Sequence, residues 1–302
     1  MNTLPKDQYP KDFYYHRTAS STYRAYLETC GLVTFDIAHP PQYSWKKKIF
    51  GNWFGVIKSE RIAYEPDIWA LKKATGLEHA FVVWIPYGSV DIPSPWRRLW
   101  LTDHFEETGY AKLIYPQKEV AGKSDTPNES LQKLPTPAYL ASWNDRSRRA
   151  RKKFLASGAT VKAVTPEEFA QSFRTTKVKH WYKSAYISYY NRMVSLDASK
   201  VRQWLAYDTT GHVVGGLAVH DFLTDHSVHL VAFTEQKSYD LQAGTGLMDV
   251  WFADSYEKGF VYLSFDHLRN KNGPRDQRGY TAFKENFITA QLSFKEAYFR
   301  FF

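Results

Sequence analysis

The sequence predicts an α/β protein with room for more than one packed unit, and three observations carry that expectation. At 302 residues, 43% hydrophobic and 17% aromatic, the chain has apolar area for one large core or two modest ones. The stretch 120–137 contains Ala-Gly-Lys-Ser-Asp-Thr-Pro-Asn-Glu-Ser and then Leu-Pro-Thr-Pro. It has no apolar periodicity and reads as an exposed connection that closes a first part. Beyond it, short strand-like runs alternate with longer runs of helical period, the pattern of strands and helices layered on one another.

Within the first part, 81–85 (Phe-Val-Val-Trp-Ile) and 111–115 (Ala-Lys-Leu-Ile-Tyr) read as strands, each stopped by a proline, Pro86 and Pro116. Residues 1–59 carry no firm signature. After the connection, 139–155 reads as a helix with Trp143, Ala150 and Phe154 along one face. Six of the eight residues from Arg146 to Lys153 are basic: Arg146, Arg148, Arg149, Arg151, Lys152 and Lys153. That density serves either a solvated face or an anion, and six mutually repelling charges are easier to explain with the anion. Next come a strand at 159–164, an aromatic-rich helical stretch at 166–194, and a hairpin of 202–207 and 212–221 about Asp208-Thr209-Thr210-Gly211. The strand 227–234 is apolar on both faces, as a central strand should be. A helix at 244–258 follows, with Gly259 just past its end, then a strand at 261–265, a helix at 281–287 and a last strand at 292–302.

Composition excludes several classes. A mean hydropathy of −0.50 and the lack of an apolar run near twenty residues argue against a membrane span. Pro5, Lys6, Asp7 and Pro10 stand where a signal peptide would need an apolar block, so a cytoplasmic location is expected. The single cysteine, Cys30, cannot form an internal disulfide and reads as a small apolar residue. A formal charge of +9 suits a polyanionic partner or an indifferent basic surface. No Cys/His cluster has zinc spacing, no Gly-x-Ser-x-Gly elbow occurs, and Gly122-Lys123-Ser124 lacks the upstream glycine of a phosphate loop. Neither metal nor covalent catalysis is implied.

The order after the connection resembles the N-acetyltransferase (GNAT) fold, and Leu241-Gln242-Ala243-Gly244-Thr245-Gly246 is similar to that family's Gln/Arg-x-x-Gly-x-Gly turn. The resemblance assigns Gln242, Gly244, Thr245 and Gly246 to a donor's pyrophosphate, bound by amides at a helix N-terminus. Leu241 stands where the family has Gln or Arg. The glycines otherwise serve tight packing. A narrower likeness comes from Gly259-Phe260-Val261-Tyr262-Leu263-Ser264-Phe265-Asp266 and from Phe283-Lys284-Glu285-Asn286-Phe287. These look like the tyrosine-aspartate strand and Phe-Lys-x-x-Phe helix of the Fem family of peptidoglycan aminoacyltransferases. That resemblance implies two GNAT-like lobes, each a mixed, mostly antiparallel twisted sheet flanked by helices. A degenerate first lobe would span 1–119, the connection 120–137, and the second lobe, with the basic helix, 138–302.

Site residues follow from both kinds of argument. Asp266 ends a strand and either takes a proton from an attacking amine or caps the next loop. His229 is a mid-strand base or a satisfied core histidine. Lys284 is a point charge for a donor oxygen or a surface lysine, and Tyr280 is a proton source for the leaving group. The function expected is transfer of an aminoacyl or acyl group from aminoacyl-tRNA or acyl-coenzyme A to an amine. Its leading form uses tRNA and a cell-wall precursor, and the alternative form is an acyl-coenzyme A-dependent N-acetyltransferase of polysaccharide or small-molecule pathways. A different class of reading is a silent GNAT-like module that binds RNA through its basic helix.

Overall fold

The computed structural model of the chain describes residues 21–30, 32–35, 42–49, 52–62, 64–86, 91–99, 107–113, 137–176, 183–268, 278–293 and 297–302. The expected connection at 120–137, apart from Pro137, and Pro116 lie outside these residues. In chain order the first elements are α1 (Ser21–Thr29), β1 (Val33–Phe35), β2 (Gln42–Ile49), β3 (Asn52–Ile62), α2 (Ile68–Thr75), β4 (His79–Pro86), β5 (Arg97–Arg98) and β6 (Glu107–Lys112). After the connection come a 3-10 turn (Ala138–Ser142), α3 (Asp145–Ala156), β7 (Thr160–Ala163), α4 (Pro166–Thr175), α5 (Lys183–Leu196), β8 (Val201–Tyr207), β9 (Val213–Asp221) and β10 (His226–Thr234). The chain continues through α6 (Ser238–Leu241), α7 (Ala243–Glu257), β11 (Tyr262–Leu268), α8 (Arg278–Lys284), β12 (Ala290–Ser293) and β13 (Tyr298–Phe301).

Two mixed sheets organise these elements. The first has the order β1-β2-β3-β4-β13-β5, and the second has the order β12-β6-β11-β10-β9-β8-β7. Each contains one parallel pair, β3 with β4 and β10 with β11, joined by a crossover helix, while the other pairs are antiparallel. The sheets exchange strands across the connection: β6 precedes it yet pairs with β11 and β12, and β13 ends the described chain yet pairs with β4 and β5.

Local chemistry explains where the elements start and stop. The predicted helix at 139–155 divides because Asn144 is extended and caps α3, its side chain accepting from the Ser147 amide at 2.9 Å. The stretch 166–194 divides into α4 and α5. α4 begins with Pro166 in its first turn and a capping box in which Thr165 and Glu168 bond reciprocally. The predicted last strand, 292–302, is two strands in different sheets, β12 and β13.

The second sheet is covered on both faces. Trp143, Met248, Trp251 and Phe252 on the α3 and α7 side pack with Leu217, Leu263 and Phe265. On the other side Phe169, Phe173, Tyr190 and Met193 of α4 and α5 pack with Ala218, Val231 and Phe233. Val83 and Ile85 of the first sheet meet Tyr262 and Ala290 of the second, so an apolar seam joins the two. At the lower end of the second sheet Arg202 donates to both oxygens of Asp221, at 2.8 and 2.7 Å, and also to Asp254, Ser227 and Ser255. This part-buried guanidinium spends its fork on carboxylates and hydroxyls, tying β8, β9, β10 and α7 together.

Candidate active site

β10 and β11 run parallel for three rungs, His226↔Tyr262, Ser227↔Leu263 and Val228↔Ser264, and then part. Each strand carries an irregularity where this happens. β10 bulges against β9 between His229 and Val231, and β11 loses register with β6 between Ser264 and His267. Within the second irregularity Asp266 has a φ of 57°, a left-handed conformation that a non-glycine residue adopts at a cost, and its amide donates to Ser264 Oγ at 3.2 Å.

Parting strands leave backbone groups without ladder partners, and buried groups of that kind need other donors. α8 supplies one. The ammonium of Lys284, a residue only 2% exposed, donates to the Phe265 carbonyl at the point of divergence. The same ammonium lies 3.8 Å from the centroid of the Tyr280 ring. Burying a lysine charge is costly unless it is paired or solvated by dipoles, and here a carbonyl and an aromatic face do that. Tyr280 is 43% exposed, and its hydroxyl lies 3.4 Å from His229 Nδ1 with the two rings edge to face. Three of the four candidates, His229, Tyr280 and Lys284, thus form a contact chain, and it ends on the residue before Asp266. The alternative of Lys284 as a surface lysine is ruled out by its burial.

The glycine motif turns out differently. Gly244, Thr245 and Gly246 lie inside the first turn of α7, which starts at Ala243, and not in an open loop. The Thr245 and Gly246 amides donate to Gln242 O at 2.9 and 3.2 Å. Gln242 itself is left-handed, φ 56°, and its side-chain amide folds back onto Tyr239 O at 2.6 Å. A Cβ on Gly246 would run into the Phe154 ring of α3, and one on Gly244 would come within 3.3 Å of Phe283 of α8. The pattern is therefore built for close packing of three helices, which is the bland side of the expectation.

The basic helix is partly structural as well. Arg151 faces inward, its Nε 2.7 Å from Asp249 Oδ1 on α7, and Tyr139 OH donates to the same oxygen at 2.9 Å. Burial and the neighbouring carboxylate push the Tyr139 phenol up to about 12. This corrects the assignment of Arg151 to an anion. Arg148 lies 3.8 Å from Asp145 and 3.4 Å from Ala141 O. Arg146, Arg149, Lys152 and Lys153 are exposed. Two groups escaped the sequence: Asp249, which holds Arg151, and Asn286, which joins α3 to α8. Asp249 lies on a helix whose sequence signal is its apolar face, and Asn286 occupies an unspecified position of Phe-Lys-x-x-Phe, so neither carries a signal of its own.

No protein-family model matches the sequence, and no curated protein sequence matches it. Among solved structures the chain is similar to FemX, with a TM-score of 0.62 at 10% identity, over 99% of this chain and 96% of that one. It is also similar to a conserved protein of unknown function from Bacteroides thetaiotaomicron VPI-5482, with a TM-score of 0.52 at 8% identity, over 94% and 88% of the two chains. At such identities the likeness is one of fold. The element order, the two mixed sheets and the parted parallel strands, taken with that likeness, give this chain the two-lobed GNAT fold in the arrangement of FemX.

Proposed function

We propose that the chain is an acyltransferase that moves an aminoacyl group from aminoacyl-tRNA to an amine of a cell-wall precursor or a similar acceptor. The observation that supports this best is the meeting of His229, Tyr280 and Lys284 where β10 and β11 part, next to Asp266. The neutral amine attacks the ester carbonyl carbon, forming a C–N bond. As the tetrahedral intermediate collapses, the C–O bond to the carrier breaks. A β10 amide beyond Val228 holds the oxyanion, and Lys284 adds positive charge. A positive charge at the point where the strands part stabilises the negative charge that develops on the carbonyl oxygen. Asp266, or water held by it, takes the proton shed by the nitrogen. The Tyr280 phenol protonates the departing oxygen and is resupplied through His229, so one proton leaves the amine and one joins the carrier.

The exposed cations Arg146, Arg149, Lys152 and Lys153 suit the carrier's phosphates. The packed first turn of α7 favours this donor over coenzyme A, because two of the amides that would cradle a pyrophosphate already serve the helix. The test is donor binding and single turnover with aminoacyl-tRNA across a salt series, with coenzyme A as competitor. Binding should fall steeply with salt and coenzyme A should compete poorly. Salt-insensitive micromolar binding of coenzyme A would overturn the tRNA donor, and RNA binding without turnover on any amine would leave a silent module.

A further inference from the structure

The joint between the basic helix and the lysine helix is more heavily bonded than packing requires. Asn286 stands two residues after Lys284, just past the end of α8. Its side-chain amide nitrogen donates to Ala282 O at 2.8 Å and Phe283 O at 3.1 Å, and its backbone amide donates to Phe283 O at 3.2 Å, so the last carbonyls of the helix are held by this one residue. Its side-chain oxygen accepts from Asn144 Nδ2 at 2.9 Å. Its backbone oxygen accepts from the Asn144 amide at 3.2 Å and from Ser147 Oγ at 3.2 Å. Asn144 is the N-cap of α3, and Ser147, 2% exposed, sits in its first turn. Three hydrogen bonds to Asn286 thus link the end of α8 to the helix that carries the exposed cations, and three more hold Asn286 to α8 itself.

Aromatic contacts flank this joint. Trp143 stacks edge to face on Phe287 at 4.8 Å, and Phe283 meets Phe287 at 5.0 Å. Such contacts fix distance but leave a short helix free to rotate about its axis. Hydrogen bonds through Asn286 fix that rotation, and with it the direction in which Lys284 leaves α8. The direction matters because a buried ammonium must find its carbonyl or become uncompensated.

We propose that Asn286 is a positioning residue that holds Lys284 against the Phe265 carbonyl by locking the end of α8 onto the N-cap of α3. Its importance for catalysis rests on the acyltransferase reading above, but its structural action does not. The mechanism places Lys284 at the gap between β10 and β11, and Asn286 acts on that gap through Lys284. The basic face and the buried charge then belong to one rigid unit, so an anion settling on α3 approaches a lysine that is already aimed.

The experiment reads Lys284 in the free protein. Purified protein is treated briefly with an amine-reactive acylating reagent, and modification of each lysine is followed by peptide mass spectrometry. Asn286→Ala should raise the Lys284 rate roughly tenfold, the scale on which lost local hydrogen bonds change an opening equilibrium. Amide exchange in β8 and β9 should stay unaltered, and Asn286→Gln should restore protection only in part. If Asn286→Ala does not fold, Asn144→Ala removes the side-chain bond across the joint and leaves the bonds of Asn286 to α8 intact, and it should also expose Lys284. Unchanged Lys284 modification in a folded variant overturns the proposal. So does faster modification accompanied by equal loosening of β8 and β9, since that is what a merely structural residue would give. Because no substrate is involved, failure to detect aminoacyl transfer would count against the proposed function and leave this result standing.

Discussion

The β3-α2-β4 unit of the first sheet and the β10-α7-β11 unit of the second share one connectivity, two parallel neighbours joined by a crossover helix. They differ in how far the neighbours stay paired. β3 and β4 hold register from Phe54↔His79 to Glu60↔Ile85 and shift only before the last pair, Ile62↔Pro86, whereas β10 and β11 hold three pairs. Continuous pairing satisfies the backbone and lets apolar side chains fill the space: Ile57, Leu71, Val82 and Trp84 form a dry cluster, each at most 0% exposed. Interrupted pairing leaves a carbonyl to be satisfied by Lys284 and gathers a tyrosine, a histidine and a carboxylate around it. The same supersecondary unit is thus a core in one place and, on the function proposed above, a reaction centre in the other, and the difference lies in where the ladder stops.

Four changes test this contrast, from the largest effect to the smallest. Ile57→Ala should cost about 2–5 kcal/mol of stability, as large-to-small changes at fully buried sites do, yet leave turnover per folded molecule unaltered. Denaturant melts paired with active-site titration measure both. Loss of turnover in the folded fraction would mean that the first unit is not merely a core. Asp266→Asn should lower turnover about a hundredfold or more with little change in donor affinity, if a side-chain base contributes its usual share. Near-normal single-turnover rates would remove Asp266 as the base and leave the proton to water. Lys284→Met orphans the Phe265 carbonyl, so it should cost about 1–3 kcal/mol in stability as well as turnover. A variant as stable as the parent would show that the parted strands do not depend on the lysine. Replacing Arg149, Lys152 and Lys153 with Gln should weaken donor binding and flatten its salt dependence while leaving Tm nearly unchanged, because exposed charges contribute little to folding. Equal loss of Tm and affinity would assign the helix a structural role.

A pH series sharpens the point about Arg151 further. The Tyr139 phenol is raised to about 12 in the folded protein, and its ordinary value is near 10. A raised value means that folding favours the neutral phenol, so this stabilisation is complete below about pH 10 and disappears as pH climbs through about 12. Tyr139→Phe should remove that part of the alkaline slope in unfolding free energy. An identical slope in the variant would show that the phenol does not share Asp249 with Arg151.

Much of the second lobe could be read from the chain because its signals are local. The hairpin at Asp208-Thr209-Thr210-Gly211 carries its own turn chemistry, with Gly211 at a φ of 82°. Phe283 marks the inward side of α8, and Phe287 just beyond it is buried as the spacing of the two rings suggests. Pairing over long separations left no comparable trace. β6 and β13 are six and four residues long, and nothing in Glu107–Lys112 or Tyr298–Phe301 names a partner sheet. The glycines of α7 misled for a related reason. A helix that must admit a ring from its neighbour and one that must admit a phosphate both ask for a missing Cβ, and only the position of Phe154 separates them. Arg151 and Lys284 reverse the usual expectation for charge: both are turned inward, and each is explained by a partner distant in sequence, Asp249 for one and the Phe265 carbonyl for the other.

Strand exchange bears on how the protein is made. The first sheet closes only when β13 inserts between β4 and β5, and Phe301 pairs with Phe81 across more than two-thirds of the chain. On the ribosome, therefore, β4 waits with an open edge until residues 298–301 have emerged, by which time the hairpins and helices of the second lobe have all been synthesised. Contacts of such long range are slow to form, and an unpaired strand edge invites association with other chains. The second lobe, in turn, needs β6 from the early part of the chain to cover β11. Neither lobe can be completed from its own segment, so the two should melt as one cooperative unit, and cutting the chain between them should yield two aggregation-prone halves that recover a fold only when mixed.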